Sequence, residues 1–425
     1  MKFKSVRGTR DVFSPEIELW QYLENTAVAL LKAYGFSEIR TPIFEESALF
    51  NRSIGEDTDI VEKEMYSFQD KKGRNLTLRP EGTAGVIRAA IEQNLLVQSN
   101  IAKLYYLGPM FRYERPQAGR YRQFYQIGAE CVGSDNYRRD LEIILWCVDY
   151  FAAIGLTGLK VCLNSVGCAD CRPAYREVLK KYLQDQTGKL CGDCQRRAVK
   201  NPLRVLDCKV DSCREIIFGI PAMQDWLCDA CKTNLSEIEA DLKKEKVNFI
   251  IDKYLVRGLD YYTRTVFEIK SENLGAQDTI AAGGRYDKLV QELGGPPMPA
   301  VGFALGLERV SEVRQKQKAV ATPGNRIDIF FALLGEQAQN RAAGVIRELR
   351  QQRIKVEAVF ENKSLKSQMR LADQSGAKFT AILGEEELKK DSVTLRNMQT
   401  KEQKDIKLDE LSQFLKTAKS EEYNG

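Results

Sequence analysis

Histidine is missing from all 425 residues of this chain. Its absence removes imidazole as a general base, metal ligand or pH switch, and with it Ser-His-Asp and Cys-His catalysis. Long apolar runs are missing as well. No stretch is long enough to span a bilayer, and the opening MKFKSVRGTRDVFSPE has no apolar signal core. Those absences predict a cytoplasmic protein with no membrane partner. Nor is there a large charge of one sign: a net charge of +5 permits a polyanionic partner without demanding one. Whatever chemistry occurs here must rest on arginine, carboxylate, tyrosine or a bound metal.

Against that background the stretch Tyr106–Glu130, YLGPMFRYERPQAGRYRQFYQIGAE, carries the most information. Arg112, Arg115, Arg120 and Arg122 fall within eleven residues that contain no lysine. A Pro-Gln-Ala-Gly turn divides two strand-like runs, so the spacing predicts a hairpin flanked by guanidiniums. Arginine in place of lysine points to planar, bidentate recognition of carboxylate or phosphate. A hairpin of merely solvated charges would have the same composition. Glu114 and Glu130 lie one on each arm, outside the turn.

The length predicts two to three domains. Residues 14–35 read as a helix, Phe36–Phe44 as a strand with Pro42 inside it, and Thr83–Glu92 as a helix entered from Arg79-Pro-Glu-Gly. An amphipathic helix is predicted over 138–154, strands over Tyr254–Ile269 and Ile280–Gly284, and a helix over Leu307–Lys316. Arg257, Asp260, Tyr261 and Tyr262 fall close together in the first of those strands, with Arg257 expected to point into a cleft. Gly283, Gly284, Gly302 and Gly306 are residues that let backbone approach a ligand, and Arg309 should aim back over the same sheet. After a linker at 317–325, alternating strands and helices predict a small α/β domain with a mostly parallel sheet.

Nine of the eleven cysteines fall between residues 160 and 248. Eight are paired: Cys168 with Cys171, Cys191 with Cys194, Cys208 with Cys213 and Cys228 with Cys231. Short loops holding two thiolates are standard spacing for structural zinc, and eight ligands would fill two sites. Buried inert thiols or a redox Cys-x-x-Cys remain open readings, and sequence alone does not say which pairs combine.

Several of these segments together resemble the histidyl-tRNA synthetase family of class II aminoacyl-tRNA synthetases. The likeness runs through RGTRD, GFSEIRTPIFEE, RPEGTAG at 79–85, FRYERPQAGRYRQF at 111–124, LVRGLDYYTRTVFE at 255–268, AAGGRYDKL at 281–289 and VGFALGLERV at 301–310. LVRGLDYY is the most specific of them. The tail, with KSLKSQMRLADQSGAKF and ILGEEEL, resembles the family's anticodon-binding domain.

The resemblance implies an α+β catalytic core on an antiparallel sheet over residues 1–160 and 249–318. A Cys-rich zinc-binding insertion would occupy 161–248 and a C-terminal α/β anticodon-binding domain 326–420. It further implies ligation of L-histidine to tRNA(His) through a histidyl-adenylate, ATP with Mg2+, one or two structural Zn2+ and a homodimer with its interface near Pro42.

By the same resemblance Arg112 holds the α-phosphate, and Arg257 sits across it as the second catalytic cation. Glu114 reads the adenine amino group and Phe124 stacks on the ring, while Arg120 and Arg309 grip the outer phosphates. Glu81 and Thr83 take the histidine ammonium and Gln126 its carboxylate. Glu130 and Tyr262 take the imidazole nitrogens, with Tyr261 beside them. Gln117 and Arg122 read the tRNA acceptor end.

Three departures stand out: the cysteine-rich insertion is not universal in the family, though its position matches the insertion domain that leans on the acceptor stem, and the other two concern histidine. Tyr125 occupies a position where the family usually has histidine, and the chain has no histidine at all. An enzyme that charges histidine tRNA could thereby be translated while that charged tRNA is scarce; drift in a histidine-poor genome would leave the same mark. A non-catalytic paralogue that regulates ATP phosphoribosyltransferase is the nearest rival. It would lack the anticodon-like tail and part of the arginine set, and both are present here.

Overall fold

The computed structural model describes residues 3–56, 58–98, 100–116, 119–272, 274, 278–317 and 327–423. They fall into two compact units, Met1–Thr322 and Pro323–Gly425.

The first unit is organised by an eight-stranded sheet. Its order is Ser37–Glu38, Ala102–Phe111, Gln123–Val132, Ala300–Gly306, Thr279–Arg285, Thr263–Ser271, Leu159–Ser165, Phe249–Ile251. The six inner strands pair antiparallel, and each edge strand joins parallel. The sheet is therefore mixed rather than antiparallel throughout, because short strands enter at both edges after helical or looped connections.

Alternation along the strands divides the side chains between two faces. On Gln123–Val132, Ile127, Ala129 and Cys131 face one core with Tyr125 packed against it. Phe124, Gln126 and Glu130 line a cleft on the other face. The first face is covered by helix Glu16–Ala33, which buries Leu19, Trp20, Leu23, Ala27 and Leu31 at helical spacing. Helix Tyr137–Ala153 joins it, its first turn capped by Asn136, whose side chain accepts from the Arg138 amide at 3.0 Å. The Asp140 carboxylate on this helix meets Arg285 at 2.9 Å, both side chains fully buried. Thr265 donates to Asp140 at 3.2 Å and to Asn234 at 3.0 Å, tying the Cys-rich helix Asp229–Lys244 to the same point.

Two expected strands are shorter than their apolar patterns suggest. Phe36–Phe44 forms only Ser37–Glu38, and the chain re-enters extended structure at Phe44–Glu46 in a separate three-stranded sheet. Pro42 lies in the break, where it offers no amide to a ladder. Tyr254–Ile269 becomes a strand only from Thr263 to Ser271. Arg257, Asp260, Tyr261 and Tyr262 therefore sit on a loop rather than a strand. That loop is held by the Asp260 amide donating to the Ile54 carbonyl at 3.1 Å.

Between strands Leu159–Ser165 and Phe249–Ile251 the chain is helical, with Arg172–Asp185, Gly192–Lys200, Asp211–Ile217 and Asp229–Lys244. In the second unit the sheet order is Val356–Ala358, Ile329–Leu333, Phe379–Leu383, Ser392–Asn397, Gln403–Lys407. Its first three strands are parallel and its last two antiparallel, so the expected mostly parallel sheet is half right. The added strand, QKDIK, is polar apart from one isoleucine and leaves little period-2 signal. No helix among the described residues is long and apolar enough to cross a membrane.

Candidate active site

The cleft of the first unit encloses about 1000 Å3, part of it open to solvent. Glu81, Thr83, Arg112, Glu114, Arg120, Phe124, Gln126, Glu130, Arg257, Tyr261, Tyr262 and Arg309 all line it. Segments far apart in sequence meet there because four neighbouring strands of the sheet form its floor.

Its inner end is a buried carboxyl cage. Glu130 is 1% exposed. One of its oxygens accepts from the Thr83 hydroxyl at 2.7 Å and the other from the Tyr286 hydroxyl. Burial pushes the Glu130 carboxyl up to about 8, with the nearby Glu81 adding to the rise and the Tyr286 and Thr83 hydroxyls opposing it. Gly302 lies directly across the ladder from Glu130, where a Cβ would run into the carboxylate and lie 2.6 Å from the Ala129 carbonyl oxygen. The glycine is what lets an acid occupy the sheet floor.

Glu81 is also buried, and its oxygens accept from the Thr83 and Ala84 amides at 2.6 and 2.9 Å. It thus closes the N-terminus of helix Thr83–Glu92, whose unpaired amides favour a negative group. Burial raises its pKa and those amides hold it back. A Gln126 side-chain oxygen in this end has no protein partner. Tyr261 packs on Tyr262 at 4.7 Å and on Tyr286 at 5.4 Å between ring centroids.

The outer end is cationic. Arg112 lies over the Phe124 ring at 5.4 Å and donates to the Pro80 carbonyl at 2.9 Å. Arg120 meets Glu114 at 3.2 Å. Arg309, on helix Leu307–Lys316, donates to the Thr279 carbonyl at 2.8 Å and the Gly119 carbonyl at 3.3 Å. Burial lowers the Arg309 pKa, and neighbouring Arg120 and Arg112 push it the same way against Glu114. Like charges gathered in this way favour an anionic occupant.

Arg257 closes the side of the cleft. It pairs with Glu268, which in turn accepts from the Thr279 hydroxyl at 2.9 Å. Its Nε has no partner.

Arg122 is not brought into this cleft. It stacks over the Tyr113 ring at 3.9 Å on the outer arm of the hairpin. Gln117 lies outside the described residues. Several contributors escaped the sequence reading. Tyr286 holds Glu130, Glu268 holds Arg257, and Tyr106 lines the inner end. The buried Glu308 accepts from the Tyr125 amide at 2.9 Å, and burial pushes its pKa up to about 7. Tyr106, Glu268, Tyr286 and Glu308 all lie in stretches already singled out, but their roles depend on contacts across the sheet that no stretch shows by itself.

The eight paired cysteines form two clusters, Cys168, Cys171, Cys228, Cys231 and Cys191, Cys194, Cys208, Cys213. The first pair thus combines with the last, and the two middle pairs combine with each other. Sulfur atoms stand 3.7 Å apart for Cys168–Cys171 and Cys168–Cys228, and 3.9 Å for Cys171–Cys231 and Cys191–Cys208. A tetrahedral zinc with bonds of about 2.3 Å sets its sulfurs about 3.8 Å apart, so both clusters fit that ion.

Comparisons with known proteins agree with this geometry. The family described as histidyl-tRNA synthetase matches residues 8–310, and the anticodon binding domain matches 322–418. A histidine–tRNA ligase of Syntrophotalea carbinolica is 46% identical over 415 residues, covering 98% of both chains. One from Desulfosudis oleivorans is 49% identical over 403 residues, covering 95% of both. Among solved structures, the apo histidyl-tRNA synthetase of S. aureus aligns with a TM-score of 0.83 at 36% identity, covering 98% of this chain and 100% of that one. With a class II catalytic unit and an anticodon-binding unit both present, this chain belongs to the histidyl-tRNA synthetase family.

Proposed function

We propose that this chain ligates L-histidine to tRNA(His), with Mg·ATP as co-substrate. The histidine carboxylate attacks the α-phosphate in line and expels pyrophosphate. The histidyl-adenylate then gives its acyl group to the terminal ribose of the tRNA. Both steps depend on positioning and charge stabilisation, which a chain without histidine can supply.

The single observation that carries this reading is the polarity of the cleft. A buried acid, Glu130, sits with Tyr262 at its inner end, and guanidiniums gather at its outer end. Glu130 and Tyr262 would satisfy both imidazole nitrogens, leaving polar atoms unpaired around any other side chain. Glu81 and Thr83 receive the ammonium, and Gln126 the carboxylate. Arg112 and Arg257 flank the α-phosphate and stabilise the charge that builds there. Glu114 reads the adenine amino group, Phe124 stacks on the ring, and Arg120 and Arg309 hold the outer phosphates. Gln117 and Arg122 contact the acceptor end of the tRNA.

Residues 161–248 act as an inserted module with two structural zinc ions, and residues 326–420 bind the anticodon. A homodimer is supported by an exposed apolar patch: Ile43, Phe44 and Phe68 surround the short sheet after Pro42, with Phe44 and Phe68 6.3 Å apart. The setting is cytoplasmic.

ATP–pyrophosphate exchange with each of the twenty amino acids tests the reading. Exchange with histidine alone, followed by charging of a tRNA(His) transcript, is the expected result. No exchange from folded, metal-replete protein would overturn it.

A further inference from the structure

The loop from Leu255 to Tyr262 carries Arg257 and has no regular structure; a strand begins only at Thr263. Side chains tied to the Cys-rich segment hold it at three points. Asn201 and Arg204 donate to one carboxylate oxygen of Asp260, at 2.9 and 3.0 Å. Arg172 donates to the Tyr262 carbonyl at 2.6 Å, and to the carbonyls of Val166 at 2.9 Å and Gly167 at 3.0 Å. Gln224 donates to Asn164 at 2.5 Å, and Asn164, only 1% exposed, donates to the Leu255 carbonyl at 2.8 Å. The Asp260 side chain is 33% exposed, so its ion pair alone is a modest tether; the three points together fix the loop.

Each tether is placed by a cysteine cluster. Arg172 directly follows Cys171, and Gln224 shortly precedes Cys228, both members of the first cluster. Asn201 and Arg204 lie between Cys194 and Cys208, so the second cluster closes the stretch that carries them. That stretch is the short helix Gly192–Lys200 followed by a helical turn, Pro202–Asp207. Helices this short are marginal by themselves, so a cross-link between their flanking thiols is what keeps the two side chains in place. Arg197 on the same helix pairs with Asp59, a further contact between this stretch and the rest of the unit.

We infer that Arg204, with Asn201 and Arg172, positions the loop for amino-acid activation, and that the two cysteine clusters act on the chemistry through these residues. The inference rests on the proposed function, in which Arg257 flanks the α-phosphate and Tyr262 meets the imidazole. Asp260 lies between them in the loop, so releasing its carboxylate frees both to shift. A misplacement of about 1 Å can cost about a hundredfold in rate. The Cys-rich segment therefore governs a step that involves no RNA.

Two measurements on the full chain test this. Hydrogen–deuterium exchange of the peptide spanning 255–262 reads the loop without catalysis, and histidine-dependent pyrophosphate exchange reads the chemistry without RNA. Arg204→Gln leaves all eight paired thiols in place. Its loop should exchange about tenfold faster while strand Gln123–Val132 keeps its protection. Its kcat should fall about tenfold and its histidine KM rise about threefold, with the ATP KM within about twofold. Arg204→Lys should recover part of kcat. Cys208→Ser, with its metal lost, should show the same exposed loop and the same kinetic split. Combined with Arg204→Gln it should be no worse than the stronger single variant.

A fall in kcat with an undisturbed loop would make Arg204 a substrate contact and overturn the inference. So would a loosened loop with unchanged kinetics, since its hold would then not set the chemistry. Protection lost throughout the first unit would reduce Arg204 to a support of the fold. Metal loss in Cys208→Ser with loop and kinetics unchanged would detach the clusters from the site. Loop exchange needs no catalysis, so a protein that activated no amino acid would sink the proposed function while leaving this measurement readable.

Discussion

Replacing Glu130 by glutamine removes a titratable proton from the floor of the cleft while keeping its shape. The consequence follows from where the proton sits. Burial lifts this carboxyl from the ordinary 4.5 to about 8. Below pH 4.5 the folded and unfolded chains both carry the proton, and the folded state keeps its full stability. Between pH 4.5 and about 8 the unfolded chain releases the proton while the folded chain retains it, so stability falls as pH rises. At about 1.4 kcal/mol per decade of proton affinity, the full loss across that window is about 5 kcal/mol. The Glu130→Gln variant has no such proton, and its stability should lack this slope.

Urea denaturation at about pH 5, 6, 7, 8 and 9 measures the difference. All three tryptophans, Trp20, Trp146 and Trp226, lie in the first unit, so their fluorescence reports the unit that holds Glu130. The stability of the native protein minus that of Glu130→Gln should drop by at least about 2 kcal/mol from about pH 5 to 8. Subtraction also cancels the neighbouring Glu81, apart from its coupling to Glu130. A difference that stays flat with pH would refute the argument that burial governs this proton. In catalysis the same variant offers the imidazole an amide in place of the carboxyl. Its kcat/KM for histidine should fall roughly tenfold to a hundredfold, with KM for ATP little changed.

Other consequences can be checked separately. Gly302→Ala should push Glu130 off the sheet floor, costing about 1–3 kcal/mol in stability and most of the histidine exchange; normal KM for histidine would contradict it. Arg257→Ala should slow exchange about a hundredfold or more, as loss of an oxyanion-type donor does. Glu268→Gln should slow it less, since the cation remains but loses its partner; equal losses in both variants would count against a positioning role for Glu268. Metal analysis should find two zinc ions per chain, and Cys168→Ser and Cys208→Ser should each remove one; one ion or none in the unsubstituted protein would refute the two-cage arrangement. Under histidine starvation, ribosome profiling should show this message translated while histidine-containing messages stall, and an equal fall would sink that idea.

Local signals made much of this molecule legible. Helices Thr83–Glu92 and Leu307–Lys316 begin where expected, each directly after a glycine, Gly82 and Gly306. The arginine hairpin was visible for the same reason: charge type and a turn lie within one short stretch. Arg257 was misplaced onto a strand because Leu255-Val256 is apolar there for another purpose. Leu255 packs beside Tyr261 in a core under the cleft, and the loop is fixed by Ile54 and Arg204, neither of which is near in sequence.

The partners of the site residues were hidden by a similar distance. Glu130 sits on the sheet floor because Gly302 lies opposite it, and Tyr286 reaches it from 156 positions away. Nothing local to Glu130 distinguishes a buried acid from an exposed one. Cysteine pairing was equally invisible, since four similar short loops offer no local reason for the first to join the last. Residue type and spacing thus announced which chemistry was present. The decision as to which acids are buried, which cations are left with unused donors and which thiols meet is made by strand register and helix packing across the whole unit.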